Sequence, residues 1–126
     1  MTHSSFPRSA RLTRPGEFRR VFQRPIVSRD RYFRVLARDS GQRMSRLGLA
    51  ISRKACSKAS GRSRLKRLVR ESFRLNRVRL DESVSLDLVV MAQRDAASAT
   101  NQELTESLGR HWKTIASRCS EKDKET

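Results

Sequence analysis

Eight arginines and lysines lie between Gly61 and Leu80, in the stretch GRSRLKRLVRESFRLNRVRL, against the single acid Glu71. At about 100° per residue, Leu65, Leu68, Val69, Ser72, Phe73 and Leu75 gather on one arc of a helix, and Lys66, Arg67, Arg70, Arg74 and Arg77 fall on the opposite arc. One face suits a core and the other suits phosphates, because a guanidinium fork grips two phosphate oxygens at once and stacks on bases. An ordinary solvated face alternates sign to make i,i+4 pairs, whereas Glu71 can pair only with Arg67 or Arg74. The pattern points to RNA. A DNA reader is disfavoured, since so dense an arginine face lacks the Asn and Gln interleaving that reads base edges.

Groups for covalent or hydrolytic chemistry are scarce. His3 and His111 are far apart, and no Ser/His/Asp or paired-carboxylate grouping stands out. Cys56 and Cys119 have no metal-ligand or redox spacing and read as reduced thiols. A self-sufficient nuclease is therefore the least favoured reading.

Residues 53 to 74, RKACSKASGRSRLKRLVRESFR, resemble the protein subunit of bacterial ribonuclease P. That family carries a strand ending in basic residues, a short linker, then Arg-Asn-Arg-x-Lys-Arg-x-x-Arg-Glu-x-Phe-Arg opening a long helix. Arg62, Arg64, Lys66, Arg67, Arg70, Glu71, Phe73 and Arg74 match; Ser63 stands where the family has Asn, with a shorter reach and one donor. EFRRVF at 17 to 22, RLGLAIS at 46 to 52 and LDLVVMA at 86 to 92 extend the likeness over about residues 8 to 118.

The resemblance implies removal of the 5′ leader from precursor tRNA, with the chemistry carried by a catalytic RNA subunit and by magnesium ions held mainly on RNA. It implies that Arg53, Lys54, Lys58, Arg62, Ser63, Arg64, Lys66, Arg67, Arg70 and Arg74 face that RNA. It further implies a cleft between the first helix and the sheet in which Phe18, Phe22, Tyr32 and Phe33 meet the leader, with aromatic rings as platforms for any base. Asp30, Asp39 and Ser63 are the residues able to approach a metal, although their spacing specifies none. The fold it implies is α+β: a small sandwich with a mostly antiparallel four-stranded sheet and three helices, like a ribosomal-protein domain. Its β-α-β crossover is left-handed, against the usual right-handed rule. The runner-up reading is a non-catalytic, ribosomal-type RNA-binding protein.

Composition agrees with a single basic domain. The chain has 126 residues and a net charge of +16; residues 1 to 80 hold 23 basic and 4 acidic side chains, and residues 81 to 126 hold 6 and 9. The first two thirds must meet the polyanion. No apolar run is long enough to span a membrane and no signal peptide is evident, so the chain reads as cytoplasmic and monomeric apart from RNA.

The elements that would position these residues follow from periodicity. Thr13 caps a first helix with Pro15 in its opening turn and Phe18, Val21 and Phe22 as its stripe, ending before Pro25. Arg31 to Arg38 alternates as a strand, with Tyr32, Arg34 and Leu36 on one side and Phe33, Val35 and Ala37 on the other. Leu47, Leu49 and Ile51 alternate with the small residues Gly48, Ala50 and Ser52, and Leu86 to Ala92 reads as a central strand. Thr100 and Glu103 form a capping box before a last helix marked by Leu104, Leu108, Trp112, Ile115 and Cys119, with Trp112 in the core. The pattern predicts the helices against one face of the sheet, with both termini disordered, the tail from Ser120.

Overall fold

The strand Leu86–Ala92 is apolar on both faces apart from Asp87, because one face is covered throughout and the other over most of its length. In the computed structural model, which describes residues 11–41, 44–81 and 85–124, it lies inside a four-stranded sheet. The elements run α1 (Pro15–Phe22), β1 (Ile26–Arg29), β2 (Phe33–Asp39), β3 (Arg46–Ala50), α2 (Ala59–Asp81), β4 (Leu86–Ala92), a 3-10 turn (Arg94–Ser98) and α3 (Asn101–Lys124). The strand order is β1-β2-β4-β3. β4 pairs antiparallel with β2 and parallel with β3, so β3, α2 and β4 form the expected β-α-β unit.

Alternation sorts the side chains into two layers. Phe33, Val35 and Ala37 of β2, with Leu86, Leu88 and Val90 of β4, meet Leu65, Val69 and Phe73 of α2 and Leu104, Leu108, Trp112 and Ile115 of α3. Each such Leu, Val or Phe contributes about 1.5–3 kcal/mol on full burial. Trp112 Nε1 donates to Ser72 Oγ at 2.8 Å, which explains a serine on the apolar arc of α2. Leu36 and Val89 point the other way, to Val21 and Leu12. α1 thus lies on the face opposite α2 and α3, so the three helices do not share a side as the pattern suggested.

Other boundaries differ from expectation for local reasons. β1 was not located in the sequence, being only four residues long. The N-cap of α1 is Arg14, not Thr13, and the Glu17 carboxylate accepts from the backbone N–H groups of Thr13 and Arg14 at 3.1 and 2.9 Å. The Thr100 and Glu103 box forms as read, with reciprocal bonds of 2.9 and 3.1 Å. α3 continues past Ser120 to Lys124, where disorder was expected; residues 8 to 10 and the last two lie outside the described residues. Leu75 is 67% exposed, because it lies at the margin of the apolar arc, while Leu80 further along the helix returns to the core at 1% exposure.

Candidate nucleic-acid interface

Cross-strand register arranges the second face of the sheet in rows. One row is Arg38, Asp87 and Arg46; the next is Val27, Leu36, Val89 and Gly48; the third is Arg29, Arg34, Met91 and Ala50. α1 covers the first two. Val21 is fully buried against Leu36 and Val89, and Phe18 lies so close to Gly48 that a Cβ there would sit 2.8 Å from the ring. A side chain at position 48 would lift the helix, which is why the small face of β3 matters.

Ionic contacts strap α1 down. Arg46 forms a two-pronged bond to Asp87, 2.8 Å on each arm, and reaches Glu17 of α1 at 2.6 Å. Asp87 is only 1% exposed, and Arg20 stands 3.6 Å away as a second partner. Arg46 is correspondingly held above its ordinary pKa, chiefly by the Asp87 hydrogen bond. At the other end Arg38 donates to the carbonyls of Arg20 and Gln23. With Glu17 and Arg20 leaning toward the first row, Phe18 and Phe22 occupy the opposite flank and overhang the third row. Phe18 is half-buried and Phe22 is 46% exposed. The result is a cleft with an aromatic wall and an uncovered floor of Arg34, Met91 and Ala50.

The basic helix divides into arginines bonded within the protein and cations whose side chains have no partner among the described residues. Arg62 donates to the carbonyls of Cys56 and Ser57, Arg64 to Ala99 O at 2.6 Å and Asn101 Oδ1 at 2.9 Å, and Arg74 to Glu71 at 2.5 Å. The side chains of Arg53, Lys54, Lys58, Ser63, Lys66, Arg67 and Arg70 make no hydrogen bond or ion pair with any described residue. Lys66 and Arg70 line a hollow of about 220 Å³ with Phe18, Leu49 and Arg11 at the β3 edge, so the basic face and the cleft adjoin. Lys54, Lys58 and Arg94 border a second hollow of about 450 Å³ beside the N-terminus of α2.

Two of the expected cleft aromatics lie elsewhere. Phe33 is fully buried in the main core, edge-on to His111, because its parity in β2 puts it on the α2 and α3 face. Tyr32 packs against that same core and its hydroxyl donates to Glu103 of α3 at 3.1 Å. Adjacent strand residues point to opposite faces, and the Asp30 carboxylate turns the backbone here by accepting from the N–H groups of Tyr32 and Phe33. Arg29, Arg34, Met91 and Ala50 were not singled out as site residues; for Arg34 and Met91 the parity shared with Leu36 and Val89 was the available signal.

The fold also assembles a group that the sequence concealed. Ser28 Oγ shares a 2.6 Å hydrogen bond with His111 Nδ1, while Asp30 Oδ1 is 3.2 Å from His111 Nε2 but out of line for a hydrogen bond. Burial pushes Asp30 up, yet bonds from Ser107, Phe33 and Tyr32 and the neighbouring His111 outweigh it and hold it at about 2. Burial lowers the pKa of His111, and Asp30 offsets only part of this. Ser28 and His111 are buried, so this group clips β1 to α3 and presents no nucleophile to a substrate. Among the described residues no cluster of three or more His, Cys, Asp or Glu side chains could hold a metal ion. No described helix is long and apolar enough to cross a membrane.

An α+β domain with an open aromatic cleft, and beside it a basic helix whose Lys66, Arg67 and Arg70 side chains have no partner among the described residues, belongs to the RNA-binding class. The family described as Ribonuclease P matches residues 6–116, and the chain belongs to that family, the protein subunits of a tRNA-processing ribonuclease. The ribonuclease P protein component of Methylococcus capsulatus is 48% identical over 115 residues, covering 91% of this chain and 88% of that protein. The RNase P protein of Thermotoga maritima superposes with a TM-score of 0.72 at 32% identity, covering 83% of this chain and 96% of its own. That of Staphylococcus aureus gives 0.72 at 27% identity, covering 85% and 94%.

Proposed function

We propose that Lys66, Arg67 and Arg70, with Arg53, Lys54 and Lys58 before them, bind the catalytic RNA, while the cleft beneath Phe18 and Phe22 holds the 5′ leader of precursor tRNA. The carrying observation is that these cations have no side-chain partner among the described residues, beside an aromatic wall over an uncovered sheet floor. A ribosomal-type protein would use the basic helix but has no need of the open cleft.

The reaction is hydrolysis of the phosphodiester at the mature 5′ end of tRNA, leaving a 5′ phosphate on the tRNA and a 3′ hydroxyl on the leader. Magnesium ions, held by RNA phosphates, would supply charge neutralisation and an activated water. The protein's own share is electrostatic and positional. Its cations release counterions and lower the repulsion between two RNAs, which favours assembly and spares magnesium. Phe18 and Phe22 stack on leader bases with little sequence demand. We place this work in the cytoplasm, with the protein acting as a single copy on its RNA.

The test is cleavage of precursor tRNA by protein alone, cognate RNA alone, and both together at low magnesium. Only the last should release leader efficiently. Cleavage by protein freed of all RNA, or a complex no better than RNA alone, would overturn the reading.

A further inference from the structure

Two arginines face each other across β1 and β2. Arg29 and Arg34 are register partners, so their Cβ atoms stand roughly 5 Å apart on one face. Val27 and Leu36, two residues away on each strand, point into the layer beneath α1, so that face is the cleft side. Like charges directly opposite destabilise a sheet. Both side chains are exposed, and neither is hydrogen bonded or ion-paired to a described residue.

The nearby carboxylates do not relieve the repulsion. A hollow beside Arg29 contains Asp30 and Asp95, but Asp30 is engaged by Ser107 and two backbone N–H groups, and Asp95 pairs with Arg31 at 3.2 Å. Two adjacent guanidinium groups suit an anion, and a phosphodiester offers two free oxygens to share between the two forks.

We propose that Arg29 and Arg34 clamp a backbone phosphate in the part of the leader farther from the cleavage site. The inference rests on the leader occupying the cleft. The row Ala50, Met91, Arg34, Arg29 crosses three strand intervals, roughly 14 Å at about 4.8 Å each. At its β3 end, Ala50 leads directly into Arg53 and Lys54 on the side assigned to the catalytic RNA. Nucleotides next to the scissile bond therefore enter at β3, pass beneath Phe18 and Phe22, and leave over β1 at the arginine pair. The clamp makes affinity depend on leader length, since a short leader ends before reaching it.

The experiment measures binding of precursor tRNAs with graded leader lengths, and of leaderless tRNA, to the reconstituted complex. Wild-type affinity should rise with length, and Arg34→Glu should abolish the last increment. The expected loss is roughly tenfold on the longest leader, with none on the shortest or on leaderless tRNA. The salt slope on the longest leader should fall by about 0.7 per contact removed. Because Arg34→Glu turns a repulsive pair into an attractive one, its melting temperature should hold or rise; Arg34→Ala and Arg29→Ala should reproduce the binding loss without the new acid. Equal weakening at every length, or an undiminished length increment in all three variants, overturns the clamp. Phe18→Ala separates the two levels. If it loses leader discrimination while Arg34→Glu keeps the length increment, the cleft stands and the clamp falls. A wild-type complex indifferent to the leader removes both.

Discussion

Arg46→Met should detach α1 from the sheet. The substitution leaves the Asp87 carboxylate, 1% exposed, without its two-pronged partner, and deprives Glu17 of its only described ionic contact to the sheet. Removing one member of a buried pair costs about 3–5 kcal/mol. Arg20 remains 3.6 Å from Asp87, on a side chain 44% exposed, so the lower end of that range is expected. For a domain of this size, about 3 kcal/mol corresponds to a fall in melting temperature of roughly 10–15 °C. Adding Asp87→Leu removes the stranded charge, so the double variant should recover much of the loss, with a coupling of about 1–3 kcal/mol in the cycle. Stability and function should then part. The double variant still lacks the Arg46 to Glu17 strap, so its preference for leader-bearing over leaderless tRNA should remain reduced. The assay is thermal and denaturant unfolding of all four cycle members, paired with tRNA binding. A melting shift within about 2 °C for Arg46→Met, or a double variant as unstable as the sum of the singles, would refute the claim that this network holds α1.

Gly48→Ala puts a methyl group 2.8 Å from the Phe18 ring; we expect a stability cost of about 1–3 kcal/mol and a reduced affinity ratio between leader-bearing and leaderless tRNA, and an unchanged ratio would remove Phe18 as a platform. Arg64→Ala should lower both melting temperature and RNA affinity, because Arg64 bonds Ala99 O and Asn101 at the start of α3, whereas Arg67→Ala should lower affinity alone by about 1–3 kcal/mol; equal melting curves would contradict this division. His111 has a pKa below its ordinary 6.5 in the folded protein, so its neutral form is favoured there. The stability it lends is full above that value and is lost as pH falls below it. Melting temperature should therefore decline from pH 7 to 5, and less so in His111→Gln; parallel curves would show that the clip does not titrate with folding.

Much of the interface was legible in local pattern. The basic arc of α2 is visible because 3.6-residue periodicity separates its faces, and Thr100 and Glu103 announce the start of α3 because a capping box spans only four residues. Alternation in β2 assigned Phe33 and Leu36 to opposite faces. It did not say which face a helix would leave open, and the family resemblance placed Phe33 in the cleft although it lies in the core. Nor could helical period show that Arg64 also bonds to the start of α3, since those partners are 35 and 37 residues away.

What the sequence by itself determined is the class of surface. Charge density, helical period and the motif around Arg62 to Arg74 depend on neighbours in the chain, and they survive any arrangement of the remaining elements. The tertiary structure decided which of those charges remain free. Arg46, Asp87 and Glu17 meet from three elements to hold α1. Arg29 and Arg34 become a pair only when β1 and β2 take their register, and Ser28, Asp30 and His111 converge only when α3 docks on β1. Ion pairs and buried hydrogen bonds are made at distances of a few ångströms between residues far apart in sequence. Folding is therefore what separates the arginines that build this protein from those left without a partner among the described residues.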